Sequence, residues 1–181
     1  ALFGQWMGQV HHPSSNAGGI CLNPLTKTIS SLMIASRSVT LMVRNLPLNY
    51  SAADLVVELS RFGIDGGYDF VYVPWFKVRR NMGYGFVNFE TLEAAGDAQH
   101  NMDGEEWLSG EGKGQIAIQL AETHGLAENL RRFDDKVIRP GGSTTAHMPL
   151  VFANGVQMPL AWALAIHCPR YRLEGRGARA G

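Results

Sequence analysis

The chain has 181 residues, 45% of them apolar, with a formal net charge of zero, two cysteines and six histidines. That length supports one sizeable hydrophobic core with tails, not two domains of ordinary size. Zero net charge excludes a global basic field that gathers polyanions, so any nucleic-acid contact has to come from a local patch. Cys21 and Cys168 lack the C-x-x-C or His spacing of a zinc site or redox centre and read as free thiols in loosely structured flanks. The late apolar run LAWALAI at residues 160–166 is far shorter than the roughly 20 residues that span a bilayer. The first residues also lack the basic stretch and apolar run of a secretory signal. The expectation is an intracellular protein of nucleus or cytoplasm, with no membrane association.

In chain order, residues 1–38 are rich in Ser, Gly, Asn and Pro and read as a flexible leader, with residues 29–35 alone compatible with a turn of helix. Residues 40–46 (TLMVRNL) read as a strand. Ser51-Ala-Ala-Asp54 has the form of a capping box, and Leu55, Val56, Leu59 and Phe62 follow at helical spacing up to Gly63. Asp65-Gly-Gly67 marks a turn, residues 70–73 (FVYV) a second strand stopped by Pro74, and residues 83–89 (GYGFVNF) a third strand. Thr91 caps a second helix with Ala95, Ala98 and Met102 on its apolar face and Gly104 at its end. Residues 115–120 (QIAIQL) alternate as a fourth strand. The order βαββαβ predicts an α+β, ferredoxin-like fold: a four-stranded antiparallel sheet with two helices on one face.

Such a sheet buries one set of alternating residues and shows the other. The aliphatic set is Leu41, Val43, Val71, Val73, Val87, Phe89, Ile116, Ile118 and Leu120. The opposite set is Met42, Arg44, Phe70, Tyr72, Tyr84, Phe86, Asn88, Gln115, Ala117 and Gln119. A merely solvated face carries Thr, Lys, Glu and Ser, so four aromatics with an arginine and amides call for a partner. Stacking of unpaired bases on the rings, with Arg and amide side chains on phosphates and base edges, is the chemistry that fits. The alternative is that a later segment covers this face and turns it into a second small core.

Met82-Gly-Tyr-Gly-Phe-Val-Asn-Phe89 matches seven of eight positions of the octamer K/R-G-F/Y-G/A-F-V-x-F/Y. Leu41-Met-Val-Arg-Asn-Leu46 stands where the companion hexamer belongs, with Met42 in place of its aromatic. Gly83 frees the turn before the strand, and Gly85 falls on the helix side, where a side chain would push the helices away. With these motifs in βαββαβ order, the chain resembles an RNA-recognition motif (RRM). More narrowly, residues 40–152 resemble the C-terminal RRM of the Mei-two-like RNA-binding regulators of meiosis and differentiation. The resemblance rests on Met42-Val-Arg-Asn-Leu-Pro47 with Tyr50, on Tyr68-Asp-Phe-Val-Tyr-Val-Pro74, on Gly83 to Phe89, and on Trp107, Phe133 and Arg139-Pro140. It implies single-stranded RNA as partner and an additional helix after the fourth strand, for which Leu126, Leu130 and Phe133 supply the spacing i, i+4, i+7.

The expected organisation is a leader at 1–38, an RRM core at 39–121, an extension with a helix at 122–152 and a poorly structured tail at 153–181. Expected RNA-binding residues are Met42, Arg44, Phe70, Tyr72, Lys77, Arg79, Arg80, Tyr84, Phe86, Asn88 and Gln119. Residues 39–120 carry six basic and eleven acidic residues, a net of −5, but Arg44, Lys77, Arg79 and Arg80 lie on or beside the aromatic face. The tail arginines 170, 172, 176 and 179, set among glycines, add a sparse auxiliary contact. No histidine stands in a catalytic or metal-ligating spacing, and the His167-Cys168 pair lacks a third orienting group, so neither an enzyme nor a cofactor is expected. The competing reading is an RRM-fold module that binds protein, for which Met42 and Met82, in place of a stacking and a cationic residue, argue.

Overall fold

The computed structural model describes residues 38–76, 79–109, 114–137 and 147–168, without the side chains of residues 134–137. Strand β1 (Val39–Arg44) leads through a turn to helix α1 (Ala52–Arg61), and β2 (Tyr68–Tyr72) follows. A small hairpin of β3 (Trp75–Phe76) and β4 (Arg80–Asn81) precedes β5 (Tyr84–Phe89). Helix α2 (Leu92–Met102) and strand β6 (Ala117–Leu120) complete the βαββαβ unit. Beyond it lie helix α3 (Leu126–Val137), the hairpin β7 (Leu150–Ala153) and β8 (Val156–Met158), and helix α4 (Leu160–His167).

Helices α1 and α2 begin where capping chemistry starts them. The Ser51 side chain accepts the Asp54 N–H while the Asp54 carboxylate accepts the Ser51 N–H at 2.7 Å, a reciprocal box that partners two otherwise orphaned donors. Thr91 Oγ1 accepts the Ala94 N–H at 3.1 Å and opens α2 in the same way. The faces these helices present, Leu55 and Leu59 from α1 with Ala95, Ala98 and Met102 from α2, are buried on the aliphatic side of the sheet. There they meet Leu41, Val43, Val71, Val73, Val87, Phe89, Ile116 and Ile118, eight of the nine residues that strand alternation assigns to the core; the ninth, Leu120, at the end of β6, is only partly buried against it.

The sheet runs β6-β1-β5-β2-β7-β8, six strands instead of the expected four. The added pair is joined by a turn whose dipeptide, Asn154-Gly155, is a hairpin signal in the sequence. Asn154-Gly155 has positive φ at both residues (51° and 75°), the geometry of a two-residue turn whose twist matches its strands. Val151 then pairs with Phe70 and Leu150 with Val71, so the hairpin extends the β2 edge. Residues 153–168 are accordingly not the poorly structured tail expected there: they contain β8 and α4, with Ala163, Leu164 and Cys168 buried. LAWALAI is thus a helix that packs within the domain. Among the described residues no helix is long and apolar enough to cross a membrane. The leader, Cys21 and the tail arginines lie outside the described residues.

Two backbone details set the faces. The β2–β5 register shifts between Tyr68 and Phe70, so a bulge at Asp69 turns Tyr68 into the helix-side core while Phe70 points to the opposite face. Gly85 leaves no room for a side chain: a Cβ there would lie 2.9 Å from Leu55 Cδ2 and 3.2 Å from the Tyr72 carbonyl oxygen. Gly85→Ala is expected to cost ~1–3 kcal/mol through overpacking, read as a lower midpoint in urea unfolding at unchanged slope. An unchanged midpoint would show that α1 is not seated as tightly on β5 as described.

Candidate nucleic-acid interface

The face opposite α1 and α2 is divided in two. Over its β2 half lies α3, whose buried Leu130 and Phe133 pack on Phe70, itself 1% exposed. Phe133 stands 6.2 Å from Phe70 and edge-on to Tyr72 at 4.8 Å between ring centroids. Val151, Ala163 and Leu164 close the cluster from β7 and α4. The spacing of Leu126, Leu130 and Phe133 therefore does build a helix, and its apolar stripe is satisfied by the aromatic face itself.

A buried polar network pins α3 in place. Asn88, 0% exposed, accepts through Oδ1 from Thr40 Oγ1 (2.7 Å) and from the Gly125 N–H (3.0 Å), and donates from Nδ2 to Asp69 (2.7 Å). Asn129 on α3 donates from Nδ2 to Thr40 Oγ1 at 2.9 Å and to the Gly125 carbonyl at 2.9 Å. His124 Nδ1 accepts the Thr40 N–H at 3.1 Å, and the Ala121 N–H donates to the Thr40 carbonyl. Strands β1, β2 and β5 are thus tied to the linker and to α3.

This arrangement corrects part of the expected site. Phe70 and Asn88 do not face solvent, because α3 and residues 124–125 cover them; Asn88 serves the network, and Phe70 is core. Tyr72 is half-buried against Phe133, and burial raises its hydroxyl pKa, with Tyr84 nearby adding to the rise and Arg132 opposing it. Lys77 lies outside the described residues.

The other half stays open. Tyr84 and Phe86 form an edge-to-face pair at 5.6 Å, both half-buried, with half-buried Met42 beside them on β1. Arg44 and Gln119 are exposed on the flanking strands. Tyr84 donates to Met82 Sδ at 3.6 Å, so the exposed Met82 extends the platform towards the hairpin that carries exposed Arg79 and Arg80. That hairpin is anchored by buried Asn81, which donates to the Pro47 and Tyr50 carbonyls at 2.7 and 2.8 Å and accepts the Gly83 N–H. Between the open strands and α3 lies a cleft of about 360 Å³, floored by Met42, Tyr84, Phe86 and Gln119 and walled by residues 120–123, Asn129 and Arg132. Arg132 Nη2 donates to Thr123 Oγ1 at 2.5 Å across that wall. Arg132 is singled out by neither strand alternation nor motif, since it belongs to the site only because α3 folds back. Among the described residues no group of three or more His, Cys, Asp or Glu is placed to hold a metal ion.

Comparison with known proteins follows the same outline. Residues 41–111 match the family model for the RNA recognition motif. The chain is 27% identical over 109 residues to protein MEI2-like 4 of Oryza sativa subsp. japonica, covering 56% of this chain and 11% of that protein. The same identity over 109 residues holds for MEI2-like 4 of Arabidopsis thaliana, of which 12% is covered. The chain therefore spans only about a tenth of the length of these relatives. Among solved structures, the second RRM of the yeast poly(U)-binding protein aligns at a TM-score of 0.38 and 24% identity, covering 48% of this chain and 98% of that one.

The network makes stability depend on pH in two opposed ways. Burial holds the His124 imidazole below its ordinary 6.5, so the unfolded chain takes up the proton first and this contribution, complete above that value, is lost as pH falls through it. Burial pushes the Asp69 carboxyl up to about 6, against the Asn88 hydrogen bond and with Glu90 adding to the rise. Here the folded state takes up the proton first, so stability increases as pH falls from about 6 towards 3.8. Asp69→Asn keeps an acceptor for Asn88 and removes the buried charge. It is expected to melt higher than wild type at neutral pH, the two converging once the wild-type carboxyl is protonated. Equal melting temperatures at neutral pH would show that Asp69 is hydrated in the folded protein.

Proposed function

Because residues 41–111 form an RNA recognition motif of the Mei-two-like type, we propose that this chain binds single-stranded RNA through the open half of its sheet. The observation that carries this reading is the Tyr84–Phe86 pair, still partly accessible in the first half of β5 while Phe70 and Asn88 on the same face are enclosed. An accessible aromatic pair beside a cleft offers π-faces to unpaired bases, and each stacked base is worth ~1–3 kcal/mol by alanine substitution. Met42 supplies apolar contact, Gln119 an amide for base edges, and Arg44, Arg79 and Arg80 the cationic rim for phosphates. The role is binding, not catalysis. The resemblance to the Mei-two-like regulators extends the proposal to a part in post-transcriptional or developmental regulation, of the meiosis type, inside the cell.

A second reading, an RRM-fold module that binds protein, draws on the burial of Phe70 beneath the chain's own helix, which shortens the stacking platform. Titration of a labelled, unstructured RNA pool with the full chain at two salt concentrations separates the two. Salt-sensitive binding is expected, and Tyr84→Ala/Phe86→Ala should weaken it by ~2–6 kcal/mol. No binding by the wild-type chain at low salt would replace the RNA reading with the protein-interaction one. By contrast, Phe70→Leu is expected to lower the melting temperature with little change in RNA affinity of the folded fraction, because its ring is spent on Phe133.

A further inference from the structure

Resting on the RNA-binding reading, we propose that Arg132, on the helix after the RRM, is itself an RNA ligand. It holds the phosphate of the nucleotide whose base stacks on Tyr84 and Phe86. The cleft these residues share, about 360 Å³, falls in the ~300–1,000 Å³ class that encloses a small ligand. One side is aromatic and the other carries the guanidinium. Glu122 also lines the cleft, so its rim holds opposite charges, and an anionic phosphate is steered to the arginine end.

Three observations set Arg132 apart from an ordinary surface arginine. Its head is held by Thr123 Oγ1, a single hydrogen bond that leaves most of its five N–H donors for a ligand. Among the described side chains, which leave out those of Asp134 and Asp135, it has no carboxylate partner, whereas the adjacent Arg131 is ion-paired with Glu128 on the exposed surface of α3. And α3 is fixed to the sheet by Asn129, one turn earlier, so the guanidinium stands at a set place relative to the rings. A planar, pre-oriented fork beside a stacking floor is the arrangement in which arginine binds phosphate with least loss of side-chain freedom. The binding unit of this chain then extends beyond residues 41–111, to a helix that sequence matching to the motif does not include.

The experiment compares the full chain with Arg132→Gln, Arg131→Gln and Tyr84→Ala in fluorescence titrations of a labelled nine-nucleotide unstructured RNA pool over a series of salt concentrations. Loss of one charge-assisted phosphate contact should weaken Arg132→Gln by about tenfold and reduce the slope of log affinity against log salt by roughly one. Arg131→Gln should leave both near wild type, and because both arginines are exposed, melting temperatures should not change. Wild-type affinity in Arg132→Gln, with binding lost in Tyr84→Ala, overturns the Arg132 assignment and leaves the RNA reading standing. Equal weakening by the two arginine variants, or a weaker Arg132→Gln with an unchanged salt slope, also overturns it. If the wild-type chain binds no RNA, both proposals fall together.

Discussion

Much of this structure depends on one buried side chain, the amide of Asn88. An amide taken out of water without partners costs several kcal/mol, and its position at the centre of a sheet face is tolerable only because its polar atoms are well partnered: two donors to its oxygen and a carboxylate for its N–H. Those partners arrive from three directions. Thr40 is its cross-strand neighbour on β1, Asp69 sits at the bulge of β2, and Gly125 belongs to the linker that turns the chain back over the sheet. Satisfying Asn88 therefore requires the linker to lie where it does, and the linker in turn delivers Asn129 and α3.

Once α3 is placed, the aromatic face is apportioned. Its apolar stripe takes the β2 side, where Phe70 and Tyr72 give it aromatic partners at 6.2 and 4.8 Å, and α4 with the β7–β8 hairpin seals that side from without. The β1–β5–β6 side is left with a pair of rings, a methionine, an exposed arginine and an amide. A helix that removes one end of a binding face also adds a wall to the other, and the cleft exists because both happen at once. The same segment thus sets stability and site shape, so changes in the network should be felt in both.

Strand alternation was sufficient to sort the core, because the helix-side residues obey a period of two and the glycine beneath α1 has a steric reason to be there. Capping residues Ser51 and Thr91, the stripe of α3 and the motif around Gly83 to Phe89 were legible for the same reason: each is a local pattern with a local cause. The Asn154-Gly155 hairpin is equally local, but the short strands around it lack the long alternation that marks a strand in sequence.

By itself, then, the sequence determined the α+β order, the aliphatic core and the identity of the aromatic face, since these follow from spacing between near neighbours. Which half of that face meets solvent was decided only in three dimensions. Phe70 and Phe86 occupy equivalent positions in their strands and differ in nothing that periodicity can read, yet one lies under Phe133 and the other lines the cleft. That distinction is set by contacts between residues about 40 to 90 positions apart, such as Asn129 with Thr40 and Gly125 with Asn88, and long-range hydrogen bonds leave no trace in a local pattern.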